Sequence, residues 1–290
     1  MQNGILLKGI GGFYYVKTAD GLLECKAKGI FRKRGVTPLA GDRVGVEGEE
    51  GGFVVSQIEP RKNSFTRPPI ANVDRLFLVV SSRDPRPNLA VADELIAISL
   101  VHGVKPVVVL TKTDLESADG FARIYRRAGF AVIDLRADEA AGYAEICREA
   151  EGCLSVFIGN SGVGKSTLLN GLCPALGLET GETSRKLGRG RHTTRAVELY
   201  PFAGGWLADT PGFSALDFER AAPLTPADVV KGFPEFAPYL DGCYFAGCSH
   251  TVEKGCAVLA ALRAGEIEPT RHENYCALAR RARELERKYD

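Results

Sequence analysis

The sequence predicts three consecutive parts: a small β-barrel, a doubly wound parallel α/β domain and a mainly helical C-terminal part. Three observations support this division. Short β-rich runs separated by glycine turns fill the first 58 residues, and apolar β-branched runs then alternate with segments of helical character. From Pro223 onward, short helices broken by Pro and Gly replace that alternation. We therefore expect domains at residues 1–68, 69–220 and 221–290.

The N-terminal part has the strand spacing of a small barrel. Its four clearest β-rich runs are Phe13–Val16, Leu22–Cys25, Arg43–Val46 and Phe53–Ile58. Residues 1–70 carry 11 Lys/Arg against 7 Asp/Glu, a net charge of +4, which fits either a basic binding surface or an ordinary solvated face. The Pro-containing, charged stretch Pro60–Asp74 is predicted to link this barrel to the next domain.

The central part alternates strands with helices. Its strand candidates are apolar runs typical of a parallel sheet covered on both faces: Leu76–Val80, Pro106–Leu110, Ala131–Leu135, Cys153–Ile158, Ala196–Tyr200 and Trp206–Ala208. The C-terminal part is predicted to end in an amphipathic helix from about Thr270. One face of that helix carries Tyr275, Leu278, Ala282, Leu285 and Tyr289.

Composition and length set broad limits. A chain of 290 residues with 45% hydrophobic and 25% charged residues can bury an ordinary core. No apolar run approaches the roughly 20 residues that cross a bilayer, and the first residues lack a charged region followed by an apolar one. We expect a cytoplasmic monomer that does not associate with membranes.

A phosphate-binding loop is the strongest local motif. The segment from Gly159 to Ser166 fits G-x-x-x-x-G-K-[ST], and it lies between an apolar strand and a helical run, as such a loop requires. Backbone N–H groups would surround the phosphates, Lys165 would neutralise them and Ser166 would bind Mg²⁺. The candidate nucleotide contacts are Gly159, Asn160, Ser161, Gly162, Val163, Gly164, Lys165, Ser166 and Thr167.

Two later segments would complete a magnesium and γ-phosphate site. Asp209 at a strand end can hold a Mg²⁺-bound water, and the N–H of Gly212 can contact the γ-phosphate. The polar stretch Thr180–Arg195 suits a switch loop. Within it, Thr194 is the first choice for a Mg²⁺ ligand and Thr193 the second, although both residues could instead cap the following strand.

Two positions decide which residue would orient the attacking water. Phe213 occupies the position after the glycine where many GTPases have Gln, and it cannot form the needed hydrogen bond. His192, in the switch stretch, is the nearest candidate to orient that water, and the alternative is an ordinary surface histidine.

The segment Thr111-Lys112-Thr113-Asp114 follows an apolar strand and is similar to the guanine-reading motif N-K-x-D. The carboxylate of Asp114 could accept from the N1–H and the exocyclic amine of guanine, a pair of donors that adenine lacks. The alternative is a helix N-cap at Thr113 or Asp114. Because Thr111 replaces the usual Asn, we expect the hydrogen bond that steadies this loop to be weaker or lost.

The order of these motifs is informative. The base-reading segment normally comes late in a guanine-nucleotide-binding domain, yet here it precedes the phosphate loop. That order predicts a circularly permuted GTPase domain.

A cysteine cluster in the C-terminal part predicts a structural metal site. Of the eight cysteines, Cys243, Cys248 and Cys256 lie within 14 residues together with His250. Three thiolates and one imidazole suit a closed tetrahedral Zn²⁺ site in a reducing compartment, and the alternative is unligated buried cysteines.

Together, these features resemble the bacterial ribosome small subunit-dependent GTPase A family along almost the whole chain. The resemblance rests on the permuted motif order and on residues shared with the family: Arg67-Pro68, Asn72-Val73-Asp74, the loop from Gly159 to Ser166, His192-Thr193-Thr194, Asp209–Phe213 and the Cys243/Cys248/His250/Cys256 spacing. The chain departs from the family at Thr111 and at Leu135-Arg136-Ala137, where a second base-contacting segment would lie.

The resemblance implies an OB-fold barrel that contacts 16S ribosomal RNA, a permuted GTPase domain and a helical zinc-binding domain. It further implies a GTP hydrolase that binds the 30S subunit late in its assembly, is stimulated by it, and uses the residue at His192 in catalysis. Two alternatives differ in kind. One is an RNA-binding factor for which nucleotide is a slow switch, and the other is a GTPase that acts on a different RNA or protein complex.

Overall fold

A computed structural model of the chain describes residues 1–135, 140–178, 197–209 and 224–289. The predicted N-terminal barrel is confirmed. It comprises β1 (Gln2–Ile10), β2 (Phe13–Thr18), β3 (Gly21–Ala27), β4 (Arg43–Glu49) and β5 (Gly52–Ile58), closed in the order β1-β2-β3-β5-β4, with helix α1 (Gly29–Lys33) after β3. The pairs are antiparallel except for β3 with β5. Buried Leu6, Val16 and Val55 help to fill the interior.

The stretch predicted as a linker is a packed connection. It contains the hairpin of β6 (Ser64–Thr66) and β7 (Pro69–Ala71), and its Phe65 and Ile70 are buried in the core of the next domain. The Asn72 side chain joins the two domains, since its Nδ2 donates to Gly41 O (2.9 Å) and its Oδ1 accepts from Lys62 N (2.9 Å). The sequence did not predict this packing, because two short strands with apolar side chains on only one face form no clear periodic pattern.

The central domain has the predicted doubly wound architecture. Its strands are β8 (Arg75–Ser81), β9 (Lys105–Thr111), β10 (Ala131–Asp134), β11 (Leu154–Ile158), β12 (Glu198–Phe202) and β13 (Gly205–Asp209). They are ordered β10-β9-β8-β11-β13-β12, and β12 alone among them runs antiparallel to its neighbour.

Within the described part of this domain, four helices cover the sheet: α2 (Leu89–Val101), α3 (Asp119–Arg127), α4 (Ala140–Glu149) and α5 (Lys165–Leu172). Side chains of α2 and α3 pack with Leu76 and Leu78 on one face, and those of α4 and α5 pack with Phe77 and Val79 on the other. Alternate residues of one strand thus enter two cores, which explains why the strand sequences are apolar throughout.

The C-terminal part begins with α6 (Pro226–Val229) and continues through 3-10 turns at Val230–Gly232 and Pro234–Gly242 to α7 (Ala257–Arg263) and α8 (Pro269–Tyr289). It packs against α2 so closely that a Cβ on Gly232 would lie 2.3 Å from the Cβ of Ala97. The predicted final helix is confirmed, with Tyr275, Leu278 and Ala282 buried. Among the described residues, none of the helices is both long and apolar enough to span a bilayer.

Candidate nucleotide and metal sites

Three neighbouring strands deliver the candidate nucleotide-binding loops to one edge of the sheet. The phosphate loop follows β11, the base-reading loop follows β9, and β8 lies between them. Parallel strands end at the same edge, so the two loops are separated by two strand spacings, about 10 Å. Ligands of open α/β sheets bind at this carboxyl edge.

The phosphate loop has the backbone geometry that its sequence predicts. Gly159 is buried, and a Cβ there would lie 2.6 Å from Val79 O, so a side chain has no room. Gly162 (φ 85°) and Gly164 (φ 89°) adopt left-handed conformations immediately before α5. This turn leads into the N-terminus of α5, where Lys165 and Ser166 begin the helix, as an anion-binding loop requires.

Thr111 corrects one expectation from the sequence. Its hydroxyl is buried and donates to Val163 O at 2.6 Å, which ties the base-reading loop directly to the phosphate loop. That distance lies within the normal range of an O–H···O hydrogen bond. The loop with Thr111 in place of the usual Asn therefore keeps a hydrogen bond to the phosphate loop.

The rest of the base-reading loop is also held by hydrogen bonds. Lys112 has φ 58°, and its Nζ donates to Asp84 O (2.5 Å). Thr113 Oγ1 donates to Asp134 Oδ1 (2.5 Å), whereas Asp114 is exposed at the open edge. The N-cap alternative is excluded, because α3 begins at Asp119 with Ala118 as its N-cap residue.

The magnesium segments are described only in part. The backbone of β13 ends at Asp209, and β13 pairs with β11 through Ala208 and Val156, so this end lies beside the strand that leads into the phosphate loop. His192, Thr193, Thr194, Gly212 and Phe213, as well as Arg136 and Ala137, lie outside the described residues.

The cysteine cluster predicted from the sequence is assembled. The ligand atoms of Cys243, Cys248, His250 and Cys256 all lie within 4.8 Å of one another. His250 Nδ1 is 3.5 Å from the Sγ atoms of both Cys243 and Cys256, and those two sulfurs are 3.9 Å apart. A tetrahedral zinc ion with bonds of about 2.0–2.3 Å separates its ligands by roughly 3.5–3.8 Å, so the donor set fits Zn²⁺.

The protonation tendencies in the cluster agree with metal binding for two of its ligands. Burial lowers the pKa of His250 and keeps its imidazole neutral. Burial opposes the charged form of Cys243, but hydrogen bonds from the Ala257 N–H and neighbouring thiols outweigh it and lower that pKa. Burial, followed by the neighbouring thiols, raises the pKa of Cys248 to about 12, so its deprotonation requires the charge of a metal ion.

The surrounding chain fixes these ligands. Cys256 is the N-cap of α7 and accepts from Leu259 N (3.5 Å), and His272 Nε2 binds His250 O (2.8 Å). Glu253 accepts hydrogen bonds from the backbone N–H groups of Ser249, Thr251 and Val252 at 2.8–3.0 Å. The loop between the ligands is thus ordered by a carboxylate that sequence reasoning did not identify, although its position between two ligands offered a signal.

Known protein families match both the N-terminal barrel and the central domain that carries the candidate nucleotide-binding loops. The family described as RsgA GTPase matches residues 58–219, and the RsgA N-terminal domain matches residues 3–53. The chain is similar to the small ribosomal subunit biogenesis GTPase RsgA of Halalkalibacterium halodurans (43% identity, 95% of each chain) and of Geobacillus kaustophilus (42%, 100% of each).

Two solved structures have the same architecture. One is YloQ, described as a circularly permuted GTPase (TM-score 0.81, 32% identity, 98% of this chain and 96% of that one). The other is YjeQ from Thermotoga maritima (TM-score 0.80, 29% identity, 97% of this chain and 98% of that one).

Proposed function

Because the chain belongs to the RsgA family of GTPases, we propose that it binds the 30S ribosomal subunit late in its maturation and hydrolyses GTP there to GDP and phosphate. The observation that supports this most strongly is the pairing of two loops at one sheet edge. A phosphate loop and a base-reading loop are joined by the Thr111–Val163 hydrogen bond in the permuted order.

In this proposal each loop binds one part of GTP. Backbone N–H groups of residues 159–166 surround the β- and γ-phosphates, and Lys165 neutralises their charge. Asp114, exposed at the edge, accepts from the N1–H and the exocyclic amine of guanine. Ser166, Asp209 and Thr194 would hold a Mg²⁺ ion bound with the nucleotide, and the N–H of Gly212 would contact the γ-phosphate. The ion would supply charge neutralisation at the γ-phosphate.

We propose His192 as the residue that orients the attacking water, because Phe213 cannot do so. A second candidate function follows from Phe213: a nucleotide-gated RNA-binding factor in which hydrolysis is incidental. The substitution His192→Ala separates them. Loss of 30S-stimulated turnover with unchanged GTP affinity supports catalysis by His192, and unchanged turnover favours the gated factor.

The zinc-binding and barrel domains supply the remaining parts of the proposal. One structural Zn²⁺ held by Cys243, Cys248, His250 and Cys256 would order a C-terminal part whose ligand loop has few apolar anchors. On the barrel, the rings of Phe13 and Phe53 are partly exposed, and Lys26 Nζ lies 5.6 Å from the Phe13 ring centroid. Exposed aromatic rings beside cationic groups suit stacking on unpaired bases, which supports contact with 16S ribosomal RNA.

The proposed partner also bears on the cellular location and the oligomeric state of the protein. A factor that acts on ribosomal subunits works in the cytoplasm, and a monomer suffices because both nucleotide-binding loops come from one chain.

Co-sedimentation with purified subunits tests the proposed partner. The protein, loaded with either GDP or a non-hydrolysable GTP analogue, is centrifuged with 30S or 50S subunits. We expect pelleting with 30S subunits in the GTP-analogue state, and little with GDP or with 50S subunits. Equal pelleting with both subunits would contradict the proposal.

A further inference from the structure

The chain segment at the end of β8 contacts both nucleotide-binding loops. This segment, residues 81–85, begins with the last residue of β8 and is here called the bridging segment. Gly162 of the phosphate loop lies close to this segment, since a Cβ added there would be in van der Waals contact with Pro85 Cδ (3.8 Å) and Asp84 O (3.9 Å). On the other side, Lys112 Nζ of the base-reading loop donates to Asp84 O (2.5 Å). The bridging segment therefore lies against both loops, and none of the sequence motifs includes it.

Ser82 makes two hydrogen bonds to the base-reading loop and the strand that leads into it. Its N–H donates to Thr111 O (3.0 Å), and its hydroxyl donates to Lys112 O (2.5 Å). Ser82 is 5% exposed, so water does not readily replace either bond. These bonds bind two consecutive carbonyls at the point where the base-reading loop leaves β9.

The second of these bonds holds a residue in an unfavourable conformation. Lys112 has φ 58°, in the left-handed region that residues with a Cβ rarely adopt. The neighbouring Ser81 hydroxyl donates to Pro85 O (2.6 Å), which closes the bridging segment on itself. A rigid support thus holds the Lys112 peptide, and this peptide sets the direction of the chain toward Asp114 two residues later.

We propose that Ser82 is a positioning residue for guanine recognition, holding Lys112 left-handed so that the Asp114 carboxylate faces the base. This inference rests on the proposed base-reading role of Asp114. In this proposal Ser82 acts through the Lys112 peptide and not by contacting the nucleotide. Its hydroxyl matters most for ligands that use the full donor pair of guanine.

Nucleotide affinities of Ser82→Ala test the inference. GDP and IDP share the ribose and the diphosphate, and IDP lacks only the exocyclic amine that Asp114 would accept from. Loss of one buried hydrogen bond predicts that Ser82→Ala weakens GDP binding about fivefold. IDP binding falls less, so the preference for GDP over IDP shrinks. Ser82→Cys replaces the hydroxyl by a slightly larger group that is a weak donor, and it serves if the alanine variant does not fold.

Ser99→Ala is the matched control. The Ser99 hydroxyl is also buried and donates to a backbone carbonyl, Leu95 O at 2.6 Å, but it lies in the interior of α2. We expect its GDP-to-IDP ratio to equal that of the parent protein. An equal loss of GDP and IDP affinity in Ser82→Ala, or no loss, would overturn the positioning role.

The variant Asp114→Asn tests the base-reading role of Asp114 separately from the role of Ser82. Asp114→Asn should shift preference from GDP to XDP, because the carboxamide can donate to the added oxygen of xanthine. That shift, with an unchanged GDP-to-IDP ratio in Ser82→Ala, refutes the role of Ser82 alone. Absence of the shift refutes base reading by Asp114 itself, and the inference falls with it.

Discussion

Removing the buried Arg271 guanidinium should weaken the packing of the C-terminal part against the GTPase domain. Arg271, on α8, is 0% exposed and binds two carboxylates. Its NH1 donates to Asp93 Oδ1 of α2 (2.8 Å), while its Nε and NH2 donate to the two oxygens of Glu235 (2.7 and 3.0 Å). Burial alone would lower the pKa of Arg271, but the hydrogen bonds and charges of Glu235 and Asp93 outweigh it and raise that pKa.

The expected loss follows from what Arg271→Ala leaves behind. Removing one partner of a buried ion pair costs about 3–5 kcal/mol, because the other charge stays buried without compensation. Asp93 would keep hydrogen bonds from Tyr125 Oη and Asn274 Nδ2, both 2.6 Å, whereas Glu235 would lose both of its bonds to Arg271. The Phe233 ring, 4.4 Å from the guanidinium carbon, would also border a cavity. We therefore expect Arg271→Ala to lower the free energy of unfolding by about 4 kcal/mol, near the middle of that range.

Arg127→Ala is a control at the same interface. The Arg127 side chain of α3 donates to Glu268 Oε1 (2.6 Å), but it is 43% exposed. An exposed pair contributes about 0–1 kcal/mol, so this variant should be nearly as stable as the parent protein. Equilibrium urea unfolding followed by circular dichroism measures both variants. If Arg271→Ala loses no more stability than Arg127→Ala, the buried network does not hold the two parts together.

Three further perturbations test other parts of the molecule. Thr111→Val should lower the free energy of unfolding by about 1–2 kcal/mol and weaken GDP binding, because the Val163 carbonyl loses its donor. Thr111→Ser keeps the hydroxyl and should retain both properties. If calorimetry shows no change for Thr111→Val, the Thr111–Val163 hydrogen bond does not stabilise the loops. Cys256→Ser should lower bound zinc from one ion per chain in elemental analysis while GDP binding persists, and a full zinc complement would contradict the ligand assignment. Burial opposes the charged form of Glu253, but hydrogen bonds from Ser249 and nearby N–H groups outweigh it and hold its pKa well below the ordinary 4.5. The stabilising effect of the Glu253 carboxylate is therefore fully present above pH 4.5 and is lost as the pH falls below that value. The melting temperature of the parent protein should exceed that of Glu253→Gln, and this difference should shrink as the pH falls below 4.5. A difference that widens there would contradict a stabilising charge on Glu253.

The local motifs were predictable because their chemistry resides in consecutive residues. Gly164 is left-handed where α5 begins, and Cys243 and Cys256 lie close together in one cluster, so the spacing of each motif in the sequence indicated both arrangements. The barrel and the parallel sheet were predictable because strands buried on one face or on two faces leave different patterns of apolar residues.

The contacts that join the parts were not predictable from the sequence. Thr111 meets Val163 across 52 residues, and Asp93 meets Arg271 across 178, and neither pair belongs to a periodic pattern. Asp93 stands beside Glu94 on a mainly apolar helix, and such a charged pair usually marks a solvated face. Asp93 is nevertheless fully buried, because its hydrogen-bond partners come from two other elements. Such pairs require the tertiary structure.

Steady-state GTP hydrolysis by the protein alone, with isolated 30S subunits, and with 50S subunits is the most direct test of a small-subunit-dependent GTPase. We predict slow turnover alone, clear stimulation by 30S subunits and none by 50S subunits. Equal, slow turnover in all three reactions would contradict a ribosome-stimulated enzyme.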